Sequence, residues 1–465
     1  MKTNFTYLFI GLFFYVGSAQ KMNFTPFGGE FVFNHDHSAC LTNEQRDEIK
    51  VMLNRSTAQL KSENKLMFAD AAQRGGHVLF GWPVRKAAGT AYNDVWSISG
   101  YVDHNPAFPN QLTDYNCGNV TYDTAQGYNH QGVDVFTWPF GWKQMDNNEA
   151  EIIAAAPGQI IAKGDGQYDR SCVFNSNPWN AVYVMHTDGS VAWYGHMKNG
   201  SLTTKPVGAF VEEGEFLGVV GSSGNSTGPH LHFEVYEDNT YTQLIDPYAG
   251  NCNNLNADSW WQSQRPYQNP NINAALTHSA PPVFPDCPQT ETTNESNQFN
   301  PGQMVYFAVY LRDQQPATSL NLKIIRPNNT VFESWNFNLT QFYTASYWYW
   351  SNNIFTIQGQ WKWEVTYQGQ TVTHPFNIGT LSVDAGTKSK TSVYPNPAYD
   401  VVNIESEQSV RKVSVYDVPG KKVKEFENMQ DGINTVNLAD ISKGIYFLRL
   451  ESDNGNMEVI KIVKQ

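Results

Sequence analysis

A glycine- and serine-rich run that leads into alternating residues decides the fold of the central part of this chain: GSSGNSTGPHLHFEVY, residues 221–236. From His230 onward, the alternation of polar and apolar side chains is typical of a β-strand. Successive side chains of a strand point to opposite faces, so His230 and His232 share one face while Leu231 can face the core. The run therefore predicts a strand that presents two histidines on one side of a sheet.

A second pair of polar side chains lies earlier in the chain, in the run NHQGVDVF of residues 129–136. His130 and Asp134 are four residues apart, which also places both on one face of a strand. The same spacing would fit a helix, but Gly132 and the β-branched Val133 argue against one. The two runs thus offer polar ligands that could converge. Three ligands of imidazole and carboxylate type with an open fourth position suit a catalytic zinc ion.

Three ordered motifs make residues 125–250 resemble the lysostaphin/LytM-type zinc endopeptidases of peptidase family M23. The motifs are His130-x-x-x-Asp134, WYGHM at 193–197 and GSSGNSTGPHLHFE at 221–234, followed by Asp246-Pro247-Tyr248. The resemblance implies an antiparallel β-sheet domain that hydrolyses peptide bonds with zinc-activated water. No serine or cysteine nucleophile is required for that chemistry.

The same resemblance assigns a role to each of five residues. It implies that His130, Asp134 and His232 bind one zinc ion per chain. It further implies that His196 and His230 are catalytic, because they flank the attacking water, move protons and stabilise the oxyanion.

The last part of the chain carries a second resemblance. Its motifs are YPNPA at 394–398, VSVYDVPGK at 413–421, LADISKGIYFL at 438–448 and a terminal strand rich in lysine. In this order they resemble the C-terminal sorting domain of type IX secretion cargo. This implies a Gram-negative source, recognition by the type IX secretion machinery, and export through the periplasm to a secreted or surface-attached location. Without the resemblance, the run predicts only a small β-sandwich.

The predicted fold is mainly β with one N-terminal helix. An apolar run followed by Gly17-Ser18-Ala19 predicts a signal peptide, and no later stretch is long enough to form a transmembrane segment. A Thr-x-x-Gln start and apolar residues at helical spacing predict a helix within 41–63. The predicted organisation is a signal peptide (1–19), an N-terminal region that is a candidate prosegment (20–82), a zinc endopeptidase domain (83–286), a β-sandwich accessory domain (289–380), a linker (381–392) and a small β-sandwich sorting domain (393–465).

Several other side chains have competing interpretations. We favour a hairpin role for His186, a supporting or structural role for the Glu234 carboxylate, and surface or prosegment positions for His35 and His37. The aromatic run Tyr343, Tyr347, Trp348, Tyr349 and Trp350 is interpreted as core in preference to a carbohydrate-stacking surface. Export would allow disulfides among Cys117, Cys172, Cys252 and Cys287, with Cys40 as the odd thiol. A Cys117–Cys172 disulfide and two buried thiols are nearly equal alternatives.

These observations predict a secreted zinc metalloendopeptidase with peptidoglycan cross-links as the leading substrate. Two alternatives stay open: an extracellular endopeptidase acting on small-residue-rich proteins, and a catalytically idle cell-wall binding module of the same fold. The presence of all three expected ligands favours an enzyme. A net charge of −13, from 31 basic and 44 acidic side chains, argues against nucleic acid as a partner.

Overall fold

The structure is a computed structural model that describes residues 25–33, 39–68, 76–285, 287, 289–379, 391–406, 409–427, 429, 432–452 and 457–465. The predicted signal peptide (1–19) lies outside the described residues. So do His35, His37 and residues 381–390 of the predicted linker.

The described chain is built mainly from strands. Up to residue 278 the elements are β1 (Phe27–Glu30), α1 (Asn43–Ser62), β2 (Val84–Lys86), β3 (Trp96–Gly100), β4 (Val133–Thr137), α2 (Gly141–Asp146), β5 (Ala150–Ile153), β6 (Gly158–Gly164), β7 (Ala181–His186), β8 (Val191–Gly195), β9 (Phe210–Val211), β10 (Phe216–Val219), β11 (His230–Tyr236), β12 (Leu244–Ile245) and β13 (Asn271–His278). The next strands are β14 (Gln298–Phe299), β15 (Val305–Gln314), β16 (Thr318–Ile325), β17 (Val331–Leu339), β18 (Tyr343–Asn352), β19 (Gly359–Tyr367) and β20 (Gln370–Ile378). The last are β21 (Ser392–Tyr394), β22 (Val401–Glu405), β23 (Val410–Asp417), β24 (Lys422–Glu427), β25 (Ile433–Asn437), β26 (Gly444–Ser452) and β27 (Met457–Lys464).

The central sheet has eight strands in the order β3-β4-β11-β8-β7-β6-β9, with β12 paired to β11. A smaller sheet, β10-β5-β2, packs against one of its faces. Side chains of β8 show the two faces: Ala192 and Tyr194 join the core shared with the small sheet, while Val191 and Trp193 join a second core on the opposite side. The alternation predicted for the strands is therefore present, and the mainly antiparallel β fold is confirmed.

Helix α1 packs on the second face of the central sheet. It begins after Thr42, whose side chain accepts a hydrogen bond from the backbone N–H of Gln45, while the Gln45 side chain accepts one from the backbone of Thr42. This capping box satisfies two N–H groups that the helix leaves unpaired, which confirms the predicted N-terminal helix. Leu53 and Leu60 are buried against the sheet.

Two further sheets form a β-sandwich, and their strands β1 and β13 lie outside the range 289–380 predicted for the accessory domain. One has the order β1-β18-β15-β13 and the other β14-β20-β19-β16-β17. Trp350, from the aromatic run, is only 1% exposed between them, together with Trp361 and Trp363. Tyr347 and Tyr349 are half-buried and lie opposite Gly29 and Phe27 of the paired strand β1, and Phe27 stacks on Tyr349. Trp350 agrees with the core interpretation, whereas Tyr343, Tyr347, Trp348 and Tyr349 are only partly buried.

The disulfides differ from the pairing considered from sequence. Cys117 pairs with Cys252 and Cys172 pairs with Cys287, so both alternatives, a Cys117–Cys172 disulfide and two buried thiols, are wrong. The physical reason is that a disulfide needs its Cα atoms about 4.4–6.8 Å apart, a condition set by how loops dock and not by their order in the chain. The backbone N–H of Cys252 donates to the Tyr115 carbonyl at 2.9 Å, which brings those two loops together. Cys40 is buried and free, as predicted.

The described residues from 391 onward belong to a separate compact unit. It contains a three-stranded sheet, β21-β22-β25, and a four-stranded sheet, β24-β23-β26-β27. Their inward side chains, including Val402, Val415 and Leu448, form one hydrophobic core. In the described parts of the whole chain, no helix is long and apolar enough to cross a membrane.

Candidate active site

The pairing of β11 with its two neighbours assembles the site. In the register of β11 with β4, His232 lies directly opposite Asp134. On its other side, His232 lies opposite Gly195, the residue before His196. Because Leu231 faces the core shared with the small sheet, the histidines of β11 face the side of the sheet that carries α1.

The three residues predicted as ligands lie together. His130 Nε2 is 3.1 Å from Asp134 Oδ2, and His232 Nδ1 is 2.8 Å from Asp134 Oδ1. The two ring nitrogens are 3.4 Å apart, and one ligand atom from each residue lies within 4.8 Å of the others. All three side chains are buried. The arrangement places two imidazole nitrogens and a carboxylate around one point.

The second nitrogen of each ligand ring is already engaged. His130 Nδ1 lies 2.7 Å from the Tyr101 carbonyl oxygen, and His232 Nε2 lies 3.0 Å from Glu234 Oε2. A carbonyl or an ionised carboxylate only accepts hydrogen bonds, so these nitrogens carry the protons. The other two nitrogens, His130 Nε2 and His232 Nδ1, both face the Asp134 carboxylate at the shared point. This donor set fits a catalytic zinc ion.

The charges around the triad stabilise the ionised carboxylates. Burial alone would raise the pKa of Asp134, but His130 and His232 outweigh it and hold that pKa well below its usual value. Burial likewise opposes ionisation of Glu234, yet Arg46 and His232 lower its pKa to about 2. Both carboxylates are therefore negative at neutral pH, as a ligand and its hydrogen-bonding partner must be.

His196 and His230 lie beside the triad, with ring centroids 4.3 Å apart. His196 Nδ1 donates to the Ser223 carbonyl at 2.6 Å, and His230 Nδ1 donates to the Gly228 carbonyl at 2.9 Å. Burial lowers the pKa of both rings, and the nearby His232 lowers the pKa of each further. Both histidines are therefore neutral at pH 7, with Nε2 able to accept a proton.

The loop before β11 positions these histidines. Its Ser223 and Gly228 carbonyls hold the two imidazoles just described. Gly224 has φ +72°, and a Cβ there would lie 2.8 Å from the Trp179 Cβ. This position needs glycine for both conformation and space, which explains the glycine in the motif. His196 itself has φ +60°, a conformation uncommon for a residue with a side chain, at the end of β8.

Other residues considered from sequence fall outside the triad. His186 ends β7, and its carbonyl accepts from the Gly189 N–H at 3.0 Å, so it lies in the hairpin where it was predicted. Glu234 supports His232, as described above.

Sequence reasoning missed Cys40, whose Sγ is 2.9 Å from His196 Nε2, and Arg46, which forms a buried ion pair with Glu234. The sequence signal for Cys40 was the odd number of cysteines: five are present, so one stays unpaired when the other four form disulfides.

The fold and the site together define an antiparallel β-sheet domain with a buried candidate metal centre. More particularly, residues 128–247 match the model of peptidase family M23 and form an M23 peptidase domain. Residues 392–465 match the secretion system C-terminal sorting domain. The sorting domain marks the chain for export by type IX secretion to the cell surface or the medium.

Curated relatives match the same part of the chain. The peptidoglycan DD-endopeptidase ShyC of Vibrio cholerae is 33% identical over 84 residues, which is 18% of this chain and 18% of the relative. The DD-carboxypeptidase/endopeptidase Mpg of Neisseria meningitidis is 46% identical over 107 residues, 23% of this chain and 20% of the relative. Lysostaphin of Staphylococcus simulans is 30% identical over 106 residues, 23% of this chain and 17% of the relative. The chain thus spans about a fifth of the length of these proteins.

Among solved structures, the catalytic domain of lysostaphin from Staphylococcus simulans is 26% identical. The match covers 27% of this chain and 83% of that domain, with a TM-score of 0.20.

Proposed function

We propose that this protein is a secreted zinc metalloendopeptidase that hydrolyses peptide bonds in peptidoglycan cross-links. The observation that carries the proposal is the convergence of His130, Asp134 and His232 on one point, with two neutral histidines beside it. Support for the substrate comes from relatives named as peptidoglycan or glycyl-glycine endopeptidases. The sorting domain supports action outside the cell.

His130, Asp134 and His232 would hold the zinc ion. When bound, the ion supplies Lewis acidity that polarises the scissile carbonyl and makes water a stronger nucleophile. The chain's contribution is to fix the ligands: Tyr101 and Glu234 hold the two imidazoles in one tautomer and one orientation. Their rotation would cost these hydrogen bonds, so the ligand geometry is set before the metal binds.

His196 and His230 supply the proton transfers. Their Nδ1 atoms donate to backbone carbonyls, which leaves each Nε2 as an acceptor for a proton of the attacking water. After accepting that proton, an imidazolium donates a hydrogen bond to the developing oxyanion of the substrate, and the proton itself is then transferred to the departing amine. The two rings are close enough to share these tasks.

The decisive experiment compares substrates and metal states. The purified protein, both intact and after limited proteolysis of its N-terminal region, is incubated with peptidoglycan sacculi, with a soluble cross-linked muropeptide and with small-residue-rich proteins. We expect new amino groups from sacculi, loss of that activity with a chelator, and recovery with zinc. A His196→Ala protein is the matched control. Cleavage of proteins but not sacculi would favour the extracellular endopeptidase, and binding to sacculi without cleavage would favour the idle module.

A further inference from the structure

Helix α1 buries an arginine on the face that packs against the central sheet. Arg46, Leu53 and Leu60 follow one another at intervals of seven residues, so they lie on one stripe of the helix, and each is at most 5% exposed. Leu53 and Leu60 belong to the core between α1 and the sheet, which explains their burial. A buried arginine is costly unless a partner compensates its charge, so the position of Arg46 calls for a separate explanation.

The partner of Arg46 is the carboxylate of Glu234 on β11. Arg46 Nη1 donates to Glu234 Oε1 and also to the Tyr236 hydroxyl, at 3.0 Å from the latter. The guanidinium carbon lies over the ring of Trp193, 5.8 Å from its centroid. Trp193 is directly opposite Glu234 in the pairing of β8 with β11. Arg46 therefore contacts two neighbouring strands of the central sheet, beside the candidate metal centre.

A line of polar contacts continues from Arg46 to the metal triad. The two oxygens of the Glu234 carboxylate have different partners: Oε1 accepts from Arg46, and Oε2 lies 3.0 Å from His232 Nε2. The other ring nitrogen, His232 Nδ1, is 2.8 Å from Asp134 Oδ1. All four side chains are buried, so the contacts are sheltered from competing water. A side chain of α1 is thus connected to a predicted metal ligand through one carboxylate.

We propose that Arg46 is a positioning residue for the metal: through Glu234 it holds the ring of His232 in the orientation that binds zinc. The inference rests on the proposed function, because His232 acts as a zinc ligand in that function. Groups that orient a metal-binding histidine contribute about 10- to 100-fold to metal affinity. Arg46 acts one contact further from the metal. Without it, the buried carboxylate of Glu234 loses the charged partner that holds it in place.

This role makes α1 a part of the peptidase unit. The sequence prediction placed the helix inside a candidate prosegment, residues 20–82, whereas the contacts of Arg46 connect it to β11. Cleavage between α1 and the N-terminal segment that precedes Thr42 leaves these contacts intact. Cleavage after Ser62, where α1 ends, separates Arg46 from Glu234. We therefore expect the metal site to need the helix, whatever happens to the residues before it.

The first test is a double-mutant cycle on zinc affinity, measured in the full chain by competition with a chelator. Arg46→Met should lower the affinity by about tenfold. In the Glu234→Gln background the same change should have no further effect, because the route from Arg46 to His232 is already lost. The double variant removes both buried charges, so it remains a usable comparison where Arg46→Met alone folds poorly. A double variant that binds zinc more weakly than Glu234→Gln would overturn the inference.

Leu60→Ala is the matched control for the packing of α1. It truncates a buried side chain on the same stripe near the far end of the helix, so the melting temperature should fall while zinc affinity stays unchanged. An equal loss of zinc affinity in Leu60→Ala and Arg46→Met would overturn the inference, because Arg46 would then act only by docking the helix.

The second test observes the orientation of His232 itself. In the zinc-loaded protein labelled with 15N-histidine, NMR should show the buried Nε2–H of His232 as a slowly exchanging signal in wild type and in Leu60→Ala. In Arg46→Met this proton should exchange about tenfold faster or more. An unchanged exchange rate would overturn the inference even in an active peptidase. Wild type that binds no zinc would overturn both proposals, whereas zinc and NMR results as expected without cleavage of sacculi would count against the proposed substrate alone.

Discussion

The Glu234 carboxylate lies 3.0 Å from Nε2 of His232, two residues away on the same face of β11. A strand alternates its side chains, so this pair is a direct product of the His-x-Glu sequence. The hydrogen bond fixes the proton on Nε2 and leaves Nδ1 directed at Asp134. One strand therefore supplies both a candidate metal ligand and the group that orients it.

Replacing that carboxylate should weaken metal binding. In Glu234→Gln, the side chain keeps its size but loses the charge that accepts from His232 and pairs with Arg46. We expect zinc affinity to fall by about 10- to 100-fold, measured by competition with a chelator. Glu237→Gln, an exposed change just beyond β11, is the matched control. An unchanged affinity in Glu234→Gln would show that the negative charge of Glu234 is not needed for metal binding.

Loss of a ligand should remove metal and activity together. His130→Ala or His232→Ala takes one of three donors from the triad, so both zinc content and peptidase rate should fall. Metal analysis beside a peptidase assay measures the two effects on the same sample. A His130→Ala protein that keeps its zinc and its activity would exclude this residue as a ligand.

Loss of His196 should separate metal binding from turnover. His196→Ala removes a neutral imidazole beside the triad but leaves His130, Asp134 and His232 intact. Zinc should remain bound while turnover falls by roughly 10²-fold or more. Because Cys40 also contacts His196, the assay is best run on protein freed of its N-terminal segment. Loss of zinc from this variant would contradict the assigned role.

The accessory sandwich should lose stability in mild acid. Burial lowers the pKa of His278 and of His374 to about 4. As pH falls below about 6.5, the unfolded chain takes up protons that the folded histidines do not accept until about pH 4. Each histidine therefore costs about 2 kcal/mol of stability at a pH of about 5 relative to neutral pH.

The matched test of that acid effect uses two histidine variants. His374→Gln keeps a polar group near Thr277 but cannot take up a proton, so its melting temperature should depend less on pH between neutrality and mild acid. In His77→Gln we expect the opposite trend. Asp258 raises the pKa of His77 despite partial burial, so the charged ring stabilises the folded protein in mild acid, and the variant loses that stabilisation. An equal pH dependence in wild type and His374→Gln would show that His374 does not titrate as described.

Deletion of residues 393–465 should block export without impairing catalysis. The sorting unit is compact by itself, and the metal triad lies within residues 128–247. In a type IX-competent host, we expect the truncated protein to accumulate in the periplasm and to retain its zinc and its peptidase rate after purification. Fractionation and immunoblotting measure its location. Normal appearance of the truncated protein outside the cell would contradict the role assigned to the sorting domain.

Local sequence was sufficient for features that depend on neighbouring residues. The alternation in HLHFEVY determined which side chains share a face, and Thr42 with Gln45 determined where the helix begins. The placement of His230 and His232 on one face also follows from short-range geometry. These are properties of φ, ψ and of the two-residue repeat, and they do not require knowledge of what packs nearby.

Only the tertiary structure decided which distant residues meet. Asp134 lies opposite His232 because β4 pairs with β11 in one register, and a shift of one residue would turn Asp134 to the other face. Cys252 pairs with Cys117 and Cys287 pairs with Cys172 because their loops dock together. Cys40, which lies just before α1, contacts His196 because α1 packs on the central sheet. The sequence by itself determined the chemistry of each strand and turn, since that chemistry is local. The tertiary structure decided the metal triad, the disulfides and the Cys40 contact, because each depends on burial and pairing between segments far apart in the chain.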